Sequence, residues 1–128
     1  MMPADSHDSP YTPTSSQANR SRGRWGEDLA ASLYKRQGYE ILDRNWRSRT
    51  GELDLVLRLG TSIVFSEVKT RRNDDYGPAA AAVGVAKQRR IRQLAVEWLR
   101  VKGIGTDSIR FDVVAITGVE IELIEDAF

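Results

Sequence analysis

The segment from Asp54 to Lys69 most constrains what this chain can fold into. Leu55-Val56-Leu57-Arg58-Leu59 and Ser62-Ile63-Val64-Phe65 are apolar stretches on either side of Gly60-Thr61. A glycine in first central position suits a two-residue type II′ loop, so the spacing predicts an antiparallel hairpin with Leu59 opposite Ser62 and Leu57 opposite Val64. Ile63-Val64-Phe65 is apolar toward both faces, as an interior strand requires.

Carried onward, this register sets Asp54 opposite Glu67. Directly opposed residues have Cβ atoms roughly 4.5–5.5 Å apart, and like charges there are destabilising, so something positive is needed to offset them. A divalent cation does this. Lys69 stands two residues beyond Glu67 on the same face, placed to orient or deprotonate an attacking water. Two carboxylates, a backbone carbonyl such as that of Val68, and waters suit Mg²⁺ (or Mn²⁺), which keeps part of its hydration shell. The plainer alternative is that Glu67 and Lys69 form an ordinary solvated pair, and the interior strand leading into them argues against it. A three-residue loop or a bulge would shift the pairing and separate the carboxylates.

The chemistry is narrowed by what is missing. Among 128 residues there is no cysteine, and the one histidine, His7, sits in a polar segment. Thiolate metal sites, histidine-based zinc sites and Ser-His catalysis are therefore unavailable, and metal chemistry must use oxygen ligands. Hydrophobic residues at 41% and charged residues at 29% fit one soluble globular domain. Apolar runs are strand-sized, so no membrane span is expected. Residues 1–22, rich in Pro, Ser, Thr and Asp, read as a disordered tail without the apolar centre of a secretory signal. A cytoplasmic location is the default expectation, and the domain runs from residue 23 to 128.

Within the domain a first helix is expected from about Gly23 to Gln37, stopped by Gly38. Trp25, Leu29 and Leu33 give it an apolar stripe, beside a small-residue stripe of Gly23, Gly26 and Ala30 that allows close approach to a sheet. Glu27 borders that stripe, either directed at the carboxylate hairpin or serving only the helix dipole. A strand from Tyr39 to about Asp43 leads into a basic connection holding Arg44, Trp46, Arg47 and Arg49, suited to phosphate contact and stacking or to an ordinary solvated loop. After Lys69 a polar loop contains Arg71 and Arg72. A second helical region begins near Pro78, with a possible break at Gly84, and continues to about Lys102. Its buried face is Ile91, Leu94, Ala95 and Trp98, and the same stripe extended backward reaches Lys87, a cation able to stretch along the core to an anionic group. Arg89, Arg90 and Arg92 lie off this face as a candidate basic surface or a solvated one. Two strands close the chain, Ser108 to Ile116 and Val119 to Ile124, turning at Gly118, with Arg110 and Asp112 as a candidate structural ion pair. The net charge is only +1, but its distribution favours one face for a polyanion.

Several ordered blocks carry a resemblance: Gly23-x-x-Gly26-Glu27, Asn45-x-Arg47, Gly51-Glu52-x-Asp54, Glu67-Val68-Lys69-x-Arg71, Lys87-x-x-Arg90 and Arg110-Phe111-Asp112-Val113. In order and spacing they resemble the YraN family of bacterial proteins over essentially all of residues 23–128. Ser66 departs from a position that is more often apolar, and Val85 stands near a common proline. The resemblance implies a restriction-endonuclease-like α/β fold, a mixed five-stranded sheet flanked by helices in the order α-β-β-β-α-β-β, close in pattern to archaeal Holliday-junction resolvases. It further implies that Asp54 and Glu67 bind Mg²⁺, that Lys69 assists the water, and that Glu27 completes the site. The expected activity is metal-dependent hydrolysis of phosphodiester bonds in DNA, on branched or damaged structures, by a possible homodimer. The alternative is a non-catalytic nucleic-acid-binding module on the same fold.

Overall fold

The computed structural model describes residues 15–71 and 83–128, with side chains from residue 23 onward. Arg72 and the expected helix entry at Pro78 lie outside these residues. The elements are α1 (Ser15–Arg36), β1 (Glu40–Ser48), β2 (Gly51–Leu59), β3 (Ser62–Arg71), α2 (Val85–Lys102), β4 (Ser108–Thr117) and β5 (Glu120–Ile124). This is the expected α/β order.

The five strands form one mixed sheet in sequence order. Every neighbouring pair is antiparallel except β3 and β4, which run parallel. A parallel pair needs a crossover, and α2 lies in it. The β2–β3 hairpin has the expected register, with Leu59 opposite Ser62 and Leu57 opposite Val64. Gly60 takes φ 61° at the first position of the loop, a conformation that a side chain would resist.

Each face of the sheet has its own core. Under α2 lie Val56, Ile63, Phe65, Phe111 and Val113 with Ile91, Leu94, Ala95 and Trp98, and the Phe65 and Trp98 rings meet edge-on at 5.8 Å. The buried residues of α2 are those that the period of its sequence predicts. Under α1 lie Leu55, Leu57, Val64, Val114 and Ile116 with Ala30, Ala31 and Tyr34. Strand β3 is apolar on alternate sides because it serves both cores.

Three expectations about the elements are corrected. The helix α1 begins at Ser15 instead of near Gly23, since Gln17, Ala18 and Arg20 favour helix and no proline interrupts them. Its buried face is Gly26, Ala30, Ala31 and Tyr34, whereas Trp25 is 48% exposed. The small stripe wins because close approach decides the packing: a Cβ on Gly26 would collide with Thr70 Cγ2 and come within 3.3 Å of Ile116 Cδ1. The larger residues are left at the rim. Finally, the basic connection 44–49 is mostly strand, because β1 continues to Ser48 after a bulge between Ile41 and Asp43. Trp46 consequently packs against the core under α2 and does not stand in a loop.

Candidate active site

Asp54 and Glu67 lie one step beyond the last hairpin pair, Leu55 opposite Ser66. Glu67 shares its face with Phe65, toward α2, and is 6% exposed. The Glu67 carboxyl stands close enough for its charge to act on Asp54. Asp54 Oδ2 also accepts the backbone N–H of Val68 at 2.9 Å. Burial, and next the Glu67 charge, push the Asp54 carboxyl up to about 8, against the opposing pull of the Val68 N–H. Ionisation of Asp54 is thus disfavoured by burial and by the second acid beside it.

The positive charge facing the pair comes from the helix. Lys87 Nζ lies 3.0 Å from Glu67 Oε2, the inward reach that its place on the α2 stripe predicts. Lys69 follows Glu67 on β3 beside Ala115 and is exposed. Val68 presents its N–H to Asp54, and that contact is the one its backbone makes to the pair.

Glu27 approaches from α1. Burial raises its carboxyl above the usual range, while the side-chain amide of Asn45 opposes the rise and the Glu52 charge adds to it. Its charge is also felt at Asp54. A cleft of about 350 Å³ opens here, lined by Gly23, Arg24, Glu27, Asn45, Arg47 and Glu52. Asn45 was legible only as part of a motif, and its geometry gives it a role. The pairs Arg44–Leu55 and Trp46–Leu53 place it across from Asp54, and its φ is 53°. Asparagine tolerates this left-handed backbone better than most residues.

The basic residues are placed differently from one another. Arg44 pairs with Asp28 at 2.6 Å and Arg47 with Glu52 at 2.8 Å. Arg71 donates to Thr117 Oγ1 at 3.1 Å. Arg92 lies over the rings of Phe111 and Phe128 at 4.8 and 5.4 Å. Arg49, Arg89 and Arg90 are exposed.

The donor set fits a hard divalent cation in kind: a part-buried and a buried oxygen acid that act on one another, with a third carboxylate at longer range. Among the described residues, no three Asp, Glu or His side chains converge closely enough to enclose an ion. Two protein carboxylates with the remaining positions left to water and substrate is the pattern of Mg²⁺.

An α/β sheet with one parallel crossover and an acid pair at the end of its central hairpin defines the class of this protein. Within that class the chain belongs to the family described as "Uncharacterised protein family UPF0102", the YraN family, whose model matches residues 26–116. It is 54% identical over 115 residues to a UPF0102 protein of Rhodococcus jostii (strain RHA1), covering 86% of this chain and 98% of that one. A UPF0102 protein of Frankia casuarinae is 50% identical over 117 residues, covering 88% and 99%. One from Syntrophus aciditrophicus is 46% identical over 114 residues, covering 86% and 90%. Among the described residues no helix is long and apolar enough to cross a membrane.

Proposed function

We propose that this protein is a metal-dependent endonuclease that hydrolyses phosphodiester bonds in DNA, with branched or damaged structures as its substrates. The observation that carries this reading is the Asp54–Glu67 pair, a part-buried acid beside a buried one. Opposed acids at a strand end lower the stability of a purely structural sheet, and their cost is offset when they hold a cation. Asp54 and Glu67 are the residues to hold Mg²⁺ or Mn²⁺, with Glu27 supporting them. Bound there, the ion would supply Lewis-acid polarisation of the phosphate and a water of lowered pKa.

The chain's own groups do the rest. Lys69, exposed on the same face as Glu67, orients the attacking water and stabilises charge developing on the phosphate. The exposed cations Arg49, Arg89 and Arg90 suit backbone phosphates, contacts that position DNA without reading sequence. A cytoplasmic location and, for two-fold branched substrates, a pair of copies accompany this reading.

The test is cleavage of branched, flapped and single-stranded DNA with Mg²⁺ or Mn²⁺. Outer-shell changes at metal sites already cost roughly 10–100-fold, so Asp54→Ala is expected to retain less than about one-hundredth of wild-type cleavage. Absence of cleavage with either ion, or equal cleavage by Asp54→Ala, overturns the catalytic reading. The second reading, a non-catalytic nucleic-acid-binding module, draws on the exposed arginines. It is favoured if DNA binding is salt-sensitive and indifferent to both metal and Asp54→Ala.

A further inference from the structure

The ion pair between Glu67 and Lys87 is built unequally. The carboxylate side chain is 6% exposed, and that of the lysine 42%. Glu67 is fixed on an interior strand, where it pairs with Val113 of β4. The ammonium ends a flexible four-carbon stem rooted in the first turn of α2, which contains no acidic residue. A helix N-terminus disfavours a cation, so its own helix end does not hold Lys87 there. The Glu67 charge does. The acid cannot return to water without unfolding, and it has Asp54 against it, so it needs a positive partner at all times. The lysine can leave for water at the cost of one charged hydrogen bond.

We propose that Lys87 is an exchangeable counter-ion: it neutralises Glu67, yields that oxygen to a divalent cation, and turns its ammonium to a substrate phosphate. The proposal rests on the metal centre described above and adds a coupling to it. Because Lys87 competes for the carboxylate, metal binding alone is weakened, and a phosphate that draws the ammonium away strengthens it. Metal and DNA then favour each other's binding reciprocally.

The experiment is calorimetric titration of Mn²⁺ into the full chain, for wild type, Lys87→Met and Lys87→Arg, with and without a cleavage-resistant phosphorothioate oligonucleotide. Lys87→Met, which keeps the stem and loses the charge, is expected to bind Mn²⁺ about tenfold more tightly, the factor such a charged hydrogen bond is worth. Lys87→Arg is expected to bind it no tighter than wild type. The oligonucleotide should tighten Mn²⁺ binding by wild type and not by Lys87→Met. A tightened affinity cannot arise from a damaged fold, and Lys87→Gln gives a second uncharged variant with the same expected result. If wild type binds Mn²⁺ and neither uncharged variant binds it more tightly, the exchange is overturned while the metal centre stands. Equal tightening by the oligonucleotide in wild type and Lys87→Met overturns the coupling to phosphate. If none of the proteins binds Mn²⁺, both the metal centre and the exchange fall.

Discussion

Two acids on the strands that flank β3, Asp54 on β2 and Asp112 on β4, are treated in opposite ways. Asp112 on β4 is fully buried and collects four donors. Tyr34 Oη lies 2.8 Å from Oδ2, Arg110 donates through Nε at 2.8 Å and Nη2 at 2.9 Å, and the Asp126 N–H reaches Oδ1 at 3.0 Å. Tyr34 Oη also accepts from the buried Ser66 hydroxyl at 2.9 Å, so the serine that stands at a commonly apolar position has a partner. Burial and the Asp112 charge hold the Tyr34 phenol well above its ordinary range, keeping it a donor. Asp54 instead has one backbone donor and a second acid against it, and its proton is held up to about 8. A carboxylate surrounded by donors ties elements together. One left short of them has capacity for something that arrives from solution. Here the first joins α1, β4 and the C-terminal segment, and the second stands at the end of the β2–β3 hairpin.

The sharpest way to break this contrast is to remove Asp112. Asp112→Ala leaves a mostly buried Arg110 and a buried phenol without their acceptor, and losing one member of such a pair costs about 3–5 kcal/mol. Urea denaturation would show the midpoint falling steeply. A change below about 1 kcal/mol would place Asp112 in the same class as Asp54.

Asp54→Asn is expected to move stability the other way. The folded protein binds the Asp54 proton more tightly than the unfolded chain does, so this group's contribution is complete below about pH 4 and is lost as pH rises through about 8. Wild type should therefore weaken across that window, while Asp54→Asn, which cannot ionise, should weaken less. At pH 9 the variant should be the more stable of the two, measured by thermal melting without added metal. Parallel pH profiles for the two proteins would refute the assignment.

The smallest effect is expected from Tyr34→Phe. It removes one donor from Asp112 and leaves three, at about 1 kcal/mol, with no change in the pH profile near 8. A loss as large as that for Asp112→Ala would show that the phenol, and not Arg110, anchors the network.

These two sites also show what kind of information the chain carries openly. The hairpin register was legible because Gly60-Thr61 and a two-residue side-chain period leave one pairing that buries the apolar residues on both faces. The α2 stripe was legible from its period, and with it the inward direction of Lys87. Arg110 and Asp112 were legible as a pair. Their partners were not, since Tyr34 and Asp126 lie 78 and 14 residues away in sequence, and no local pattern links them. The same distance hid the place of Asn45 between Glu27 and Asp54. Hydrophobicity favours Trp25 for the buried face of α1, whereas steric closeness at Gly26 governs the contact.

The sequence by itself determined the β2–β3 hairpin, the period of α2, the oxygen-only chemistry and the membership of the chain in its family. These follow from short-range spacing and residue type. Tertiary structure alone decided which acid is fully satisfied and which is left in tension, which lysine meets Glu67, and which arginines are already committed to carboxylates. Those outcomes depend on burial and on charges brought together from separate elements, and electrostatic effects are strong only once water has been removed.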